Sequence, residues 1–595
     1  MKAHKILITI IILLGFVLGL CSCKESNKKK GEAVSFKYGL GKEKDFDGTI
    51  YYDDSYFDLE STEYNNSLST ASLGVSMACF YSDEGNTPHQ NIEDLYLKLG
   101  FTDFYINDDF DKPKNMYSVG VAFARKKLGK YTLIASSLRG KGYQKEWGSN
   151  VILGNDLEYA SGFYDSSTIY LNTLNNYIKE NKIKGAIKLW IVGYSRGAAI
   201  TNIVGGRIDN GSYQLENVTY QKDDLYFYTF ETPMGVTFNQ DVSPRSDVYN
   251  NIHNIINPDD AVSIIFMKNL GFTRFGIDHY LPSLLNDKNY KEDLKKLKNI
   301  YDIDKDVFGE YILDQFSYSN SLIKKEDNSQ ANITFGIYFT EFINVIYNEG
   351  IKTRENYVDN VETGLKDATQ EFFKNGIPES PSTVFLSIFN ALKESGKLNE
   401  LLKEIPYAEA LIVRAYLKKY EDTLSKYPVT FDSLLMANDL YGFFKVFVEA
   451  LSKNTYLLGS LLNLKNLMCF GQAHSAVLCF SYLMLLDKNY TDNPIKVDMD
   501  GGYYLFEGDT NKTYIVYDSN NNEVARYSNN VANKNSDLIY GKMNNRFVLY
   551  LRKDNYKIVT NSINYSIKEF NQKYQDMQDV SFTVASDPLG VSIMI

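Results

Sequence analysis

Histidine, cysteine and excess positive charge are all scarce in this chain, and each shortage closes off some chemistry. Five His occur among 595 residues, so a reaction that needs an imidazole has few candidates for it. Five Cys occur, and Cys21 and Cys23 fall in an N-terminal apolar segment. The other three, Cys79, Cys469 and Cys479, cannot make a complete disulfide set, and no pair has the C-x-x-C spacing of a metal site. A Cys469–Cys479 bridge is one reading; buried apolar thiols are the simpler one. The formal net charge is −11, which argues against a nucleic-acid partner, since that needs a basic face. Core material is plentiful: 44% of residues are hydrophobic and 23% charged. That is a folded, globular composition, and the length suits roughly three or four domains.

The N-terminus reads as a secretion signal. Lys2 and Lys5 precede an apolar run, Ile6 to Leu20, which is shorter than the ~20 residues of a bilayer span. The run ends in Leu20-Cys21-Ser22-Cys23. A small residue just before a Cys, with Leu three before it, resembles the bacterial lipobox. The resemblance implies cleavage before Cys23 and a lipid on its thiol. An uncleaved anchor is the alternative, and either way the body lies outside the cytoplasm. Residues 1–22 are then the signal and residues 23–34 a polar tether.

Three regions of different character follow. Residues 35–285 alternate helix-like and strand-like segments. The patterning predicts helices over 66–81, 89–99 and 165–183, the last burying Ile169, Leu174, Tyr177 and Ile178. It predicts a hairpin from Tyr117–Arg125 and Tyr131–Leu138. Ile187–Val192, Leu225–Phe230 and Asn251–Ile256 are short apolar runs, as in buried parallel strands. Strands alternating with helices imply an α/β sheet. Residues 286–465 lose the strand signals and carry long amphipathic stretches, which predicts an all-helical insertion. Residues 495–595 alternate aromatic and β-branched runs with Asn, Asp and Gly turns, which predicts a small C-terminal β-sandwich.

The chemistry concentrates at Gly193-Tyr194-Ser195-Arg196-Gly197, a G-x-S-x-G set between an apolar strand and a helix start. A nucleophilic Ser on a strand-to-helix turn needs Gly on both sides, because Cβ atoms would clash there. Chance alone supplies such a pattern roughly 0.2 times in this length, and the strand-turn-helix setting raises it well above that. A base and an orienting carboxylate must follow in the order Ser, acid, His. Asp259 and Asp260 lie just beyond the Asn251–Ile256 strand, where open α/β sheets place their sites. An Asx turn is the bland reading of the same pair. Among the histidines, His4 lies in the signal, His89 precedes the nucleophile and His253 sits in a strand. His279 and His474 remain. His474 precedes an apolar helix, Ala476–Leu486, and is the better placed of the two.

These segments resemble the class 3 lipase family, the fungal triacylglycerol-lipase-like branch of α/β hydrolases. That family carries an Arg-Gly-Thr/Ser motif at a strand end, followed by a Trp and an Asp. Here Leu133–Leu138 runs into Arg139-Gly140-Lys141, with Trp147 and Asn150 beyond. The family's Thr-Phe-Gly-x-Pro is represented by Thr229-Phe230-Glu231-Thr232-Pro233. Its Asn-x-x-Asp followed by an apolar pair is matched by Asn257 to Val262, which selects Asp260. Gly271 to Gly276 resembles a segment that follows the acid in bacterial members. Three departures stand out: Lys141 for Thr/Ser, Arg196 for Leu, and Glu231 for Gly.

The resemblance implies a fold and a function. The fold is an α/β-hydrolase sheet domain built from residues 35–285 and 466–490. The helical insertion separates the two parts, with a position suited to a cap that shapes the acyl pocket. The function is a serine lipase or esterase working through an acyl-enzyme. Ser195 is the expected nucleophile, His474 the base and Asp260 its orienting acid. The backbone N–H groups of Arg196 and Lys141 form the oxyanion hole. The expected partners are an acyl-ester or lipid substrate and a membrane, through the lipid on Cys23. No cofactor or metal is expected: Asp518-x-Asn520-x-Asn522 lacks the Gly and Glu of a calcium loop and reads as a hairpin turn. A lipid-anchored binding protein on a hydrolase-like scaffold is the competing reading.

Overall fold

The computed structural model describes residues 31–40, 45–82, 84–114, 118–140, 146, 150, 158–258, 260, 262–264, 272–283, 286–301, 474–499, 502–533, 538–543, 546–571 and 576–595. The expected lipid site Cys23, the oxyanion candidate Lys141, Trp147 and Cys469 lie outside these residues. So does most of the expected helical insertion. No helix among the described residues is long and apolar enough to cross a membrane.

The first part of the chain is an α/β unit around one mixed sheet. A hairpin, β1 (Glu32–Tyr38) and β2 (Phe46–Tyr52), precedes α1 (Asn66–Ala78) and α2 (Pro88–Lys98). The strands β3 (Thr102–Ile106), β4 (Val121–Leu128) and β5 (Tyr131–Leu138) run antiparallel to one another. Then come α3 (Ser161–Glu180), β6 (Gly185–Tyr194), α4 (Arg196–Asp209), the short β7 (Val218–Thr219), β8 (Leu225–Phe230), the short β9 (Val236–Thr237) and β10 (Ile252–Ile256). The short β11 (Phe272–Thr273) pairs with β9, and β12 (Ile277–Tyr280) closes the set. The sheet order is β12-β10-β8-β6-β5-β4-β3, with β5, β6, β8, β10 and β12 parallel.

Both faces of the sheet are buried, so its strands are apolar on both sides. Ile187, Leu189 and Ile191 of β6 point to one core, with Tyr170, Leu174, Ile200 and Val204 from α3 and α4. Trp190, Val192 and Tyr194 point to the other, with Leu73 and Val75 of α1 and Leu95 of α2. The helix α5 (Tyr290–Tyr301) follows the sheet. The helix α6 (Ala476–Leu486) returns to that second core, and nine of its eleven side chains are buried. A helix apolar all round must be enclosed. Its C-terminal end is tied to α1 where Asn66 Nδ2 donates to the Leu483 carbonyl (3.2 Å) and Ser67 Oγ to Asp487 Oδ1 (3.0 Å).

Some boundaries differ from the sequence expectation. Helix α3 starts at Ser161, and its buried stripe runs through Phe163, Tyr170, Leu174 and Ile178, so Ile169 faces solvent. Strand β4 begins at Val121 and continues through two lysines to Leu128. Those charges are accommodated at the strand's end: the Lys126 ammonium lies over Tyr52 and Phe101, and Lys127 Nζ donates to Thr132 Oγ1. Residues 503–594 hold two antiparallel sheets of five and six strands whose inner faces share one core, including Phe506, Leu549, Tyr514 and Ile558. The Asp518–Asn522 segment is a turn between two of these strands, with Asp518 Oδ1 accepting the N–H groups of Asn520 and Asn522.

Candidate active site

Three parallel strands deliver the site from their C-terminal ends. Ser195 follows β6, Glu231 follows β8 and Asp260 lies beyond β10. Adjacent ends are stitched together: Ser195 N–H donates to the Phe230 carbonyl and Glu231 N–H to the Ile255 carbonyl, both at 2.9 Å.

Ser195 sits on the turn between β6 and α4 with φ 55° and ψ −122°. A non-glycine residue at positive φ is uncommon and is held there only by its surroundings. Crowding shows why glycine flanks it. A Cβ on Gly193 would lie 2.4 Å from the Gly197 carbonyl oxygen. One on Gly140, in the Arg139-Gly140 segment, would lie 1.9 Å from the Tyr194 carbonyl oxygen. Ser195 itself is 4% exposed. Arg196 opens α4, where the first backbone N–H groups have no intrahelical acceptor. Its side chain is buried and donates to Ser166 Oγ at 2.9 Å.

The structure brings Ser195, His474 and Asp260 into one hydrogen-bonded line. His474 Nε2 lies 2.8 Å from Ser195 Oγ, and His474 Nδ1 lies 2.8 Å from Asp260 Oδ2. Asp260 is fully buried and His474 half-buried, its side chain 17% exposed. The other Asp260 oxygen, Oδ1, accepts the Val262 N–H at 2.9 Å. Asp260 therefore makes an Asx turn and faces the imidazole with the same carboxylate. His279 is elsewhere: it lies on β12, its Nε2 is 3.0 Å from His253 Nδ1, and its ring stacks on Tyr64. His253 Nε2 lies 2.9 Å from the Ser61 carbonyl, which only accepts. His253 thus carries a proton on Nε2.

The acid-bearing segment is clamped from below. Asp278, buried on β12, receives both Arg274 (Nη2, 2.8 Å) and Arg245 (Nη1, 3.2 Å). Burial alone would raise the Asp278 carboxyl; the two guanidinium groups outweigh it and hold the group far below the ordinary carboxylate range. Arg274 Nη1 also donates to the carbonyls of Thr232 and Ser263, and Ser263 Oγ donates to the Asp260 carbonyl at 2.7 Å. One arginine therefore ties the loop after β8 to the loop that carries Asp260.

Two residues join the site that sequence reasoning missed. The Tyr194 hydroxyl donates to the His474 carbonyl, and the two rings lie 5.2 Å apart. It anchors the distant His474 segment on β6. Glu231 is fully buried beside Asp260, and its Oε2 accepts the Asn257 N–H at 3.0 Å. Burial, and next the Asp260 charge, push its carboxyl well above the ordinary range. Cys79 and Cys479 are free, buried thiols. Among the described residues no group of three or more His, Cys, Asp or Glu is arranged to hold a metal.

Comparison with known proteins returns fungal lipases at low overlap. A crystal structure of a fungal lipase is 16% identical, covers 36% of this chain and 77% of its own, and superposes with a TM-score of 0.25. A mutant form of MDLA from Penicillium cyclopium is 14% identical, with the same two shares and TM-score 0.25. Rhizomucor miehei lipase in complex with its propeptide is 17% identical, covers 31% of this chain and 57% of its own, at TM-score 0.21. No protein-family model and no curated protein sequence matches. The α/β character of the domain stands on its own sheet, not on these overlaps.

Proposed function

We propose that this chain is a lipase-like serine hydrolase of carboxylic esters. The observation that carries the reading is the continuous line from Asp260 through His474 to Ser195, each link 2.8 Å, ending on a serine at positive φ. His474 removes the Ser195 hydroxyl proton through Nε2 as Oγ attacks the ester carbonyl. Asp260 keeps the imidazole proton on Nδ1 and stabilises the cation that forms. The tetrahedral oxyanion is received by the backbone N–H groups of Arg196 and Lys141. Collapse expels the alcohol with the proton from His474, and water then releases the acid by the same route. The substrate is an acyl ester or lipid, met outside the cytoplasm by a protein held at the membrane through Cys23.

A fluorophosphonate probe tests the reading. Wild-type protein labels, and Ser195→Ala abolishes both labelling and hydrolysis of p-nitrophenyl esters, by about a thousandfold or more. A wild-type protein that neither labels nor cleaves any such ester, from short to long acyl chains, sinks the reading and leaves a binding scaffold.

A further inference from the structure

A carboxyl side chain occupies a position whose backbone suits glycine. Glu231 has φ 49°, in the left-handed region that a long side chain rarely takes and that glycine takes without strain. Nothing in the turn itself calls for Glu. What the side chain touches supplies the reason. Its Oε2 accepts the Asn257 N–H, and the only other donor beside the buried carboxyl is the weak Cys479 thiol. The groups around that carboxyl are Asp260, the Cys479 thiol from α6, and beyond Asp260 the His474 imidazole.

Two carboxylates in contact out of water share one proton, because ionising both is too costly. Asp260 is the wrong place for that proton. Both of its oxygens already accept, from His474 Nδ1 and from the Val262 N–H, and both bonds favour its anion. Glu231 has a single N–H partner and beyond it only a thiol, a weak donor. We propose that Glu231 is a positioning residue: as a neutral acid it donates a hydrogen bond to Asp260, holding the carboxylate that orients His474 without adding a second negative charge. The proposal rests on the reading of Ser195, His474 and Asp260 as a catalytic triad. Burial and the Asp260 charge shift the Glu231 carboxyl in the direction this requires.

Two substitutions and two readouts test it. Glu231→Gln keeps the shape of a neutral acid, accepts from Asn257 and donates to Asp260. Its kcat/KM stays within about threefold of wild type, and the acid limb of the pH profile does not move. Glu231→Gly keeps the backbone unstrained and removes the donor; kcat falls about ten- to a hundredfold, as for one lost hydrogen bond to a charged group, with KM little changed. Independently of activity, the infrared difference between wild type and Glu231→Gln at neutral pH contains the C=O stretch of a protonated carboxylic acid. An absent band, an acid limb displaced to lower pH in Glu231→Gln, or a Glu231→Gly enzyme as active as wild type overturns the proposal. A wild type inert to esters and probe that still shows the band overturns instead the triad reading, and the positioning role falls with it.

Discussion

Replacing Asp260 with Asn tests the hydrogen-bonded line where the structure constrains it most. Val262 N–H can only donate, and it donates to Oδ1 of Asp260. An asparagine must therefore turn its oxygen to Val262 and its NH2 to His474. The His474 Nδ1 that faced Oδ2 at 2.8 Å now faces a donor and must accept. The imidazole proton moves to Nε2, the atom 2.8 Å from Ser195 Oγ, and that nitrogen loses the lone pair that takes the serine proton. The lost charge adds to the lost tautomer. At an effective dielectric of about 20, a carboxylate ~4 Å from the imidazolium is worth about 4 kcal/mol, roughly a thousandfold in rate. With the wrong tautomer included, the expected fall in kcat is about ten-thousandfold. Asp260→Asn is nearly isosteric, so folding is preserved and thermal unfolding checks it. The assay is kcat on p-nitrophenyl butyrate alongside the rate of fluorophosphonate labelling, and both fall together. A loss below tenfold, or a change confined to KM, refutes the argument that Asp260 acts through His474.

Two stability predictions concern other buried carboxyls. Asp278→Asn leaves Arg245 and Arg274 buried without their anion and costs about 3–5 kcal/mol in urea unfolding, with reduced activity because Arg274 no longer fixes the Asp260 loop. Because the Asp278 carboxyl is held down in the folded protein, its contribution is present above the unfolded carboxylate value and is lost as pH falls toward the folded one. Asp209, at the end of α4, shows the opposite sign: burial raises its carboxyl from 3.8 to about 7, while its Oδ2 and the neighbouring Asn251 Oδ1 both lack a donor. Its contribution is present below the unfolded value and lost as pH rises through about 7, so Asp209→Asn stabilises the protein at pH above 7 by up to roughly 4 kcal/mol, with the gap closing toward pH 4; equal unfolding curves at high pH count against it.

Much of this site is readable from local pattern. The apolar strand, the flanking glycines and the helix start around Ser195 are contiguous, so one window of sequence contains the whole device. Scarcity helped as well: with five histidines, chain order alone left two for the base. The choice between them is only partly local. His474 reaches Ser195 because α6 is enclosed in the second core and because Tyr194 holds the His474 carbonyl. The first is foreshadowed by the apolar run Ala476–Leu486; the second does not follow from the residues near 474. Boundaries slipped where side chains hide their role in sequence. The lysines of β4 look like a loop until Tyr52 and Phe101, from elsewhere in the chain, are laid under one of them.

Glu231 shows why a departure from pattern carries information. Along the chain it stands 29 residues before Asp260, and nothing nearby assigns it a partner. The contact exists only because β8 and β10 are parallel neighbours whose ends are in register, with Glu231 N–H on the Ile255 carbonyl. Local rules would place glycine at that φ, and burial rules would exclude an isolated carboxyl. A residue that breaks both is kept where something else over-determines it, and functional sites are where such conflicts gather. Both conflicts are met by a backbone held at the strand end and by a second carboxylate that accepts the Glu231 hydrogen bond. The same reasoning gives the sign of the effect. An ionised Glu231 would compete with Asp260 for the imidazole's charge, whereas a neutral one leaves Asp260 as the single anion of the line and fixes where it points.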